Sequence, residues 1–224
     1  VKRVFFITGT DTGVGKTVLT VLLTRHLGAG GTPMMAVKPF CSGGREDAEA
    51  LLDAQSGGKD STIRLDALNP WHFRAPLAPL LAARRERRRV EKGEAVRFLK
   101  AAAAGAGVLL IEGAGGLLSP LGEGFSARDL ISALGAFPLV VCPNRLGAIN
   151  QALLVLHAMP AGTGRRARIV LMEPREPDGA SRTNPGLLRE LVGPDRVFQL
   201  PWFQPEIPHH PKIAVRRILD QLLA

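Results

Sequence analysis

A chain of 224 residues, 46% hydrophobic and 22% charged, is long enough to bury a core of its own, and its composition excludes a disordered or collagen-like polymer. Lysine and arginine outnumber aspartate and glutamate by 29 to 20, a formal net charge of +9 that suits anionic ligands, while two cysteines are too few for a disulfide framework or a zinc site. No apolar run reaches the ~20 residues of a membrane-spanning helix, and the first apolar run leads into a glycine-bearing loop rather than a cleavage site, so one reducing, cytoplasmic domain over residues 1–224 is expected, with no membrane partner.

The run "VFFIT" predicts a first strand and "VLTVLLTRHL" a helix over residues 16–28, with "GTDTGVGKT" between them at residues 9–17. A loop ending in Gly-Lys-Thr at a strand-to-helix junction directs backbone N–H groups and a helix N-terminus at one small volume, which suits a polyphosphate. Lys16 then reaches the β- and γ-phosphates and Thr17 ligates Mg²⁺; a merely connecting turn would not need this flanking pattern. The spacing is unusual, because Gly9 and Gly15 enclose five residues where the ordinary phosphate loop has four, and Thr10 stands where the first glycine usually sits.

A second strand, "MMAVK", runs into "VKPFCSG", which puts Lys38 and Ser42 at its carboxyl end, where ligands gather on sheets of this kind. If the first two strands are close in space, both lie beside the phosphate loop. Asp47 falls in the first turn of a helix predicted over 45–56, where an acid by itself compensates the helix dipole. The stretch from Gly57 to Pro79 is rich in turn formers and reads as irregular. Five arginines follow within residues 84–89, but Glu86, Glu91 and Glu94 are interleaved and no aromatic side chain is there to stack bases, so a solvated face is expected and no specific nucleic-acid partner.

After a helix over 91–104, "GVLLIEGAGGLLSPL" predicts a third strand with Glu112 at its tip. A carboxylate buried there needs a cation, and Gly113, Ala114 and Gly115 allow backbone to approach a ligand closely, which together read as a metal ligand beside the phosphates. A helix over 126–134 and a strand "FPLVVC" lead to "CPNRLGAINQALL", a helix over 147–158 whose N-terminal Gly147 and Asn150 serve either as an ordinary cap or as an anion site. Strands "ARIVLM" and "RVFQLP" complete the pattern, with helices over 185–192, opened by Asn184 as cap and Pro185 in its first turn, and over 211–223. Six strands alternating with helices predict an α/β fold: a mostly parallel, doubly wound sheet with helices on both faces, of the P-loop NTPase kind.

Taken together, "FITGTDTGVGKT", "VKPFCSGG", "EGAGGLLSPL", "NRLGAINQALL" and "LPWF", with "NPWHFRAPLAPLLAARRE" in the insert, resemble the dethiobiotin synthetase family, in order along nearly the whole chain. That family carries the five-residue phosphate loop. The resemblance implies an ATP- and Mg²⁺-dependent ligase of biotin synthesis: one amine of 7,8-diaminopelargonic acid captures CO₂ (from bicarbonate) as a carbamate, a carbamate oxygen attacks the γ-phosphorus of ATP, and the second amine closes the ureido ring on the mixed anhydride. It implies ATP binding by Gly13, Val14, Gly15, Lys16 and Thr17 of the loop and by Gly113, Ala114 and Gly115. Lys16 and Lys38 correspond to the lysines that neutralise γ-phosphate and carbamate, Thr12 and Ser42 to hydroxyls near the carbamate, and Thr17, Asp47 and Glu112 to the Mg²⁺ ligands.

By the same resemblance Gly147, Ala148 and Asn150 receive the substrate carboxylate across the interface of a homodimer, and Pro201, Trp202 and Phe203 form the loop beside the adenine. Two departures stand out. Gly13 occupies a position that is acidic in some members, and the family's adenine-reading asparagine aligns with Met172, or with Glu173 if the alignment slips by one. A partition or site-positioning ATPase that binds DNA or a membrane is the rival reading, but it normally has a lysine where Thr10 stands; a cobyrinate-type amidoligase would need a glutaminase domain for which no residues remain.

Overall fold

The computed structural model describes residues 3–56, 63–203, 207–209 and 211–224. Its first half comprises β1 (Arg3–Gly9), α1 (Lys16–Ala29), β2 (Met34–Val37), β3 (Phe40–Ser42), α2 (Glu46–Ser56), α3 (Leu65–Leu68), β4 (Trp71–Phe73), α4 (Pro79–Arg85) and α5 (Lys92–Ala104). The second half comprises β5 (Val108–Gly116), β6 (Pro120–Gly122), β7 (Phe125–Ser126), α6 (Ala127–Leu134), β8 (Phe137–Pro143), α7 (Ala148–Ala158), α8 (Ala161–Arg166), β9 (Arg168–Met172), α9 (Gly179–Val192), β10 (Val197–Leu200) and α10 (Ile213–Leu223).

All six strands expected from the sequence pair in one parallel sheet of order β10-β9-β8-β1-β5-β2. Alternate residues of β1 face opposite layers: Phe6 joins Val37, Ile111 and Val140 on one side, and Phe5 and Ile7 join Leu110, Leu139 and the buried face of α1 on the other. Both faces are therefore covered, as the near-continuous apolar strands require. The first two strands are not neighbours, because β5 lies between them. Its register with β1 sets Glu112 opposite Ile7, two residues before Gly9 opens the phosphate loop. No helix among the described residues is long and apolar enough to cross a membrane.

Residues 57–62 of the stretch expected to be irregular lie outside the described residues. The rest is more regular than its turn formers suggest: β3 pairs in parallel with β4, Phe40 stacks on Trp71 with ring centroids 4.9 Å apart, and Pro79 starts α4. Sequence reading also misplaces the start of α9. The helix begins at Gly179 under an Asp178 cap, whose carboxylate accepts from Ser181 N at 2.7 Å while Asp178 N donates to Ser181 Oγ at 2.8 Å, and Pro185 sits inside it. Proline there deprives the Ser181 carbonyl of its helical donor. Asn144 Nδ2 supplies the missing hydrogen bond at 2.7 Å, so the helix continues through the proline.

The arginine run closes α4 with a Schellman turn: Arg88 N donates to Ala83 O at 2.8 Å and Arg87 N to Arg84 O at 3.0 Å. This puts Arg87 at φ 55, the one non-glycine in the left-handed region among the described residues. An L side chain there costs about 1–2 kcal/mol relative to glycine. Arg87→Gly is accordingly expected to raise the unfolding free energy by ~0.5–1 kcal/mol in urea denaturation, after the larger chain entropy of unfolded glycine is deducted. A variant less stable than the parent would contradict the strain.

Candidate active site

The carboxyl ends of β1, β2 and β5 surround a cavity of about 750 Å³ lined by Thr12, Gly13, Val14, Gly15, Lys16 and Thr17 of the loop, by Lys38, Ser42 and Asp47, and by Ala114 and Gly115. Sequence positions more than about a hundred residues apart thus meet at one place. Gly15 is at φ 98, and α1 starts directly after it with no side-chain cap, which leaves its first N–H groups free to meet an anion. Gly115 is at φ 67, and a Cβ there would fall 2.3 Å from Ser119 Oγ, so glycine is required for the β5 tip to fold over the loop.

Beneath the cavity, Lys38 Nζ lies 2.6 Å from Glu112 Oε1 and 2.8 Å from Asp47 Oδ2, and donates to Gly113 O at 3.3 Å. Thr17 Oγ stands 2.7 Å from Asp47 Oδ1 and 2.8 Å from Glu112 Oε1. Lys16 Nζ turns back to Asp11 O at 2.8 Å. Two buried oxygens, Ser42 Oγ and Glu112 Oε2, have no hydrogen-bond partner among the described residues.

A second cavity, about 540 Å³, adjoins the first across Gly13, Val14 and Gly15 and is walled by Met172, Glu173, Pro201, Trp202 and Phe203. Met172 lies against the loop: a Cβ on Gly15 would come 3.0 Å from its Cε. Sequence reading missed Asn144, Arg145, Gln199 and Ile207 in this region, as well as Pro76 to Pro79 over the first cavity. Gly147, Ala148 and Asn150 line neither cavity; Gly147 and Asn150 are exposed at the start of α7 and Ala148 is buried against the core. A third cavity, about 490 Å³, lies at the opposite end of the sheet, where Arg25 donates to Ile207 O, Arg216 to Pro211 O, and His26 meets Asp220.

An AAA domain family model matches residues 3–208. The ATP-dependent dethiobiotin synthetase BioD of Anaeromyxobacter sp. (strain Fw109-5) is 39% identical over 199 residues, covering 88% of this chain and 89% of that protein. The synthetase of the same name from Anaeromyxobacter dehalogenans (strain 2CP-C) is 39% identical over 228 residues, covering 99% and 97%. The chain belongs to the ATP-dependent dethiobiotin synthetase family. Two solved structures share the fold at 14% identity: a ParA family ATPase from Chlorobium tepidum TLS, TM-score 0.56, covering 91% of this chain and 85% of that one, and the signal recognition particle receptor FtsY from Elizabethkingia anophelis in complex with GDP, TM-score 0.55, covering 99% and 63%. At that identity the likeness speaks for the P-loop NTPase fold alone.

The charged groups at this point set one another's ionisation. Burial alone would lower the Lys38 pKa, but the charges of Glu112 and Asp47 and their hydrogen bonds more than offset it and raise the ammonium well above the ordinary lysine value. Burial opposes ionisation of Asp47 too, yet Lys38 and Thr17 hold its carboxyl below the usual range. Cys41, on the wall of the first cavity, is pushed up to about 11 by burial and stays a thiol at neutral pH.

Glu112 has no exposed surface and the Lys38 side chain is 5% exposed, so removing either partner strands a buried charge. Lys38→Ala is therefore expected to lower the unfolding free energy by ~3 kcal/mol or more, the usual cost of breaking a buried pair. Adding Glu112→Gln should recover at least about 1 kcal/mol, because the stranded charge is then gone. Equal stability of Lys38→Ala and the parent in urea denaturation would show that the pair carries no such load.

Proposed function

We propose that this chain closes the ureido ring of dethiobiotin on 7,8-diaminopelargonic acid, using CO₂ and ATP, and that it does so in the cytoplasm as a homodimer. The observation that carries the chemistry is the convergence of Lys16, Lys38 and the unpaired Ser42 hydroxyl on one cavity at the head of α1. In this reading the triphosphate lies along Gly13 to Thr17, with Lys16 on the β- and γ-phosphates, and the base enters the second cavity between Trp202 and Phe203, bounded by Met172, Glu173 and Pro201. One substrate amine adds to CO₂ and loses a proton. Lys38 and the Thr12 and Ser42 hydroxyls hold the carbamate, whose oxygen bonds to the γ-phosphorus as the bond to the β-phosphate oxygen breaks. The second amine then attacks the carbamoyl carbon, the carbon–oxygen bond to phosphate breaks, and the amine proton leaves with the phosphate or to water. No side chain has to gain or lose a proton permanently; positive donors hold charge that moves between oxygens.

The donor set fits a divalent cation of the hard, oxygen-seeking kind. Thr17, Asp47 and Glu112 would hold Mg²⁺, which would neutralise phosphate charge, and Glu112 Oε2 is buried with no other partner among the described residues. No group of three or more His, Cys, Asp or Glu side chains suited to a metal occurs among the described residues, in keeping with an ion whose coordination is completed by phosphates and water. Gly113 to Gly115 pass close over the phosphates in this reading. The homodimer is supported by large apolar side chains left on the surface, Leu146 at 85% exposure just before α7 and Leu154 at 60% within it. Gly147, Ala148 and Asn150 would there take the carboxylate of a substrate bound mainly by the partner subunit.

Phosphate release measured with ATP, bicarbonate and the diamine together tests the reaction. Release that needs all three is the expected result; ATP hydrolysis indifferent to the diamine and stimulated by DNA would favour the partition-ATPase reading instead.

Lys16 supplies an independent check on where the phosphates go. Burial, then repulsion from Lys38, lowers its pKa to about 8, partly offset by Glu112, Asp47 and Asp11. Bound phosphates favour the ammonium and raise that value again. Below pH 7 Lys16 is charged in both states and takes up no proton; above pH 8 the free protein has lost the proton and must take it up. Calorimetry in buffers of different ionisation enthalpy is expected to show uptake near zero at pH 6.5 and about one proton per ATP at pH 9. Buffer-independent heats at pH 9 would remove Lys16 from the phosphates.

A further inference from the structure

Among the described residues the second cavity is lined by two side chains of charged type, the exposed Arg145 and the half-buried Glu173, and the Glu173 carboxylate is held on one oxygen. Glu173 Oε1 accepts from Asn144 Nδ2 at 2.9 Å and from Gln199 Nε2 at 3.0 Å, while Oε2 has no partner among the described residues. Both amides are anchored in turn. Asn144 Nδ2 also donates to Ser181 O at 2.7 Å and its Oδ1 accepts from Asn184 Nδ2 at 3.0 Å, so every hydrogen of its amide is engaged; Gln199 Oε1 accepts from Arg189 Nη2 at 3.0 Å. Met172, the neighbouring residue, offers a thioether, a weak acceptor, and that group lies over Gly15. Around Glu173 the walls are Val14, Trp202, Phe203 and Ile207, which suit the faces of a planar ring and distinguish no base from another.

We propose that Glu173, clamped by Asn144 and Gln199, selects the nucleobase by accepting an exocyclic amino group on Oε2. The inference rests on assigning this cavity to the base of the triphosphate. A carboxylate with both oxygens free matches the paired N1–H and N2–H donors of guanine. Here the two amides already occupy Oε1, which removes half of that fork and leaves a single acceptor. Adenine and cytosine each present one amino group beside a ring nitrogen that carries no hydrogen, and a single acceptor satisfies that edge. Guanine and uracil present a carbonyl oxygen at the corresponding ring carbon, which the carboxylate repels. The expected ranking is therefore ATP and CTP ahead of GTP and UTP, by about tenfold or more in affinity. Asn144 and Gln199 are positioning residues: they fix which oxygen faces the base without touching it.

The test is equilibrium binding of the four triphosphates, with inorganic tripolyphosphate as the probe of the loop alone, to the parent chain, Glu173→Gln and Gln199→Leu. In the parent the amino bases lead by about tenfold or more; in Glu173→Gln, whose amide both donates and accepts, the spread falls within about threefold. Gln199→Leu removes one of the two donors from Oε1, leaving Asn144, and so opens one acceptor site there and improves GTP relative to ATP. Tripolyphosphate binds all three proteins alike, which separates a change in base reading from a damaged fold. Equal affinities of the four triphosphates for the parent, or a spread unchanged in Glu173→Gln, would overturn the proposal. Neither outcome involves the diamine, so the synthetase reaction stands or falls separately, on phosphate release.

Discussion

A carboxylate with no exposed surface sits at the tip of the central sheet, and the architecture of the site follows from keeping it ionised. Glu112 is placed by the register of β5 on β1, and its charge is tolerable only with a cation in contact. In the free protein that cation is Lys38, delivered by β2 on the far side of β5 and shared with Asp47 at the start of α2. Three chain segments are thereby tied to one point. The same carboxylates also attract Thr17, the last residue of the loop, so loop and floor are held in register before any ligand arrives. The two carboxylates that hold Lys38 are also oxygen donors of the kind that suits a divalent ion.

The loop has two sides, and the structure uses both. Toward β2 and β5 it faces the charged cavity; toward β8, β9 and β10 it faces the aromatic one. Gly13, Val14 and Gly15 are common to the two, and the left-handed backbone at Gly13 and Gly15 keeps side chains out of the passage between them. A nucleotide lying across this loop would have its reactive end among lysines and carboxylates and its base among apolar walls. The sheet order makes this possible, because β1 lies where the strand order reverses and its crevice opens to both sides.

The six strands were legible because each is a near-continuous apolar run bounded by turn formers, which is what a sheet buried on both faces demands. Lys38, Asp47 and Glu112 could be pooled because ligands gather at strand carboxyl ends, and Lys38 reaches the loop although β5 intervenes between the first two strands. Short-range patterns failed where tertiary partners decide. Proline at 185 reads as a helix start, and only the Asn144 amide from another segment allows α9 to run through it. Glu173 was offered by the alignment with the family, but its clamp was illegible for the same reason: Asn144 and Gln199 are ordinary polar side chains at strand ends, and they meet Glu173 only when β8, β9 and β10 lie side by side. Likewise β3 and β4 are three residues each, too short for periodicity to register.

The proline inside α9 binds two distant positions into one unit of inheritance. Residue 185 must lack an N–H for the Ser181 carbonyl to remain open, and residue 144 must carry an amide to fill it. Restoring an ordinary residue at 185 would set its N–H in competition with the Asn144 side chain, and losing the amide at 144 would leave a buried carbonyl unpaired. Among relatives, proline at the first position should therefore travel with asparagine at the second, and pairs broken at one should be broken at both. The drift of a helix far from the phosphates is in this way constrained by the wall of the cavity beside them.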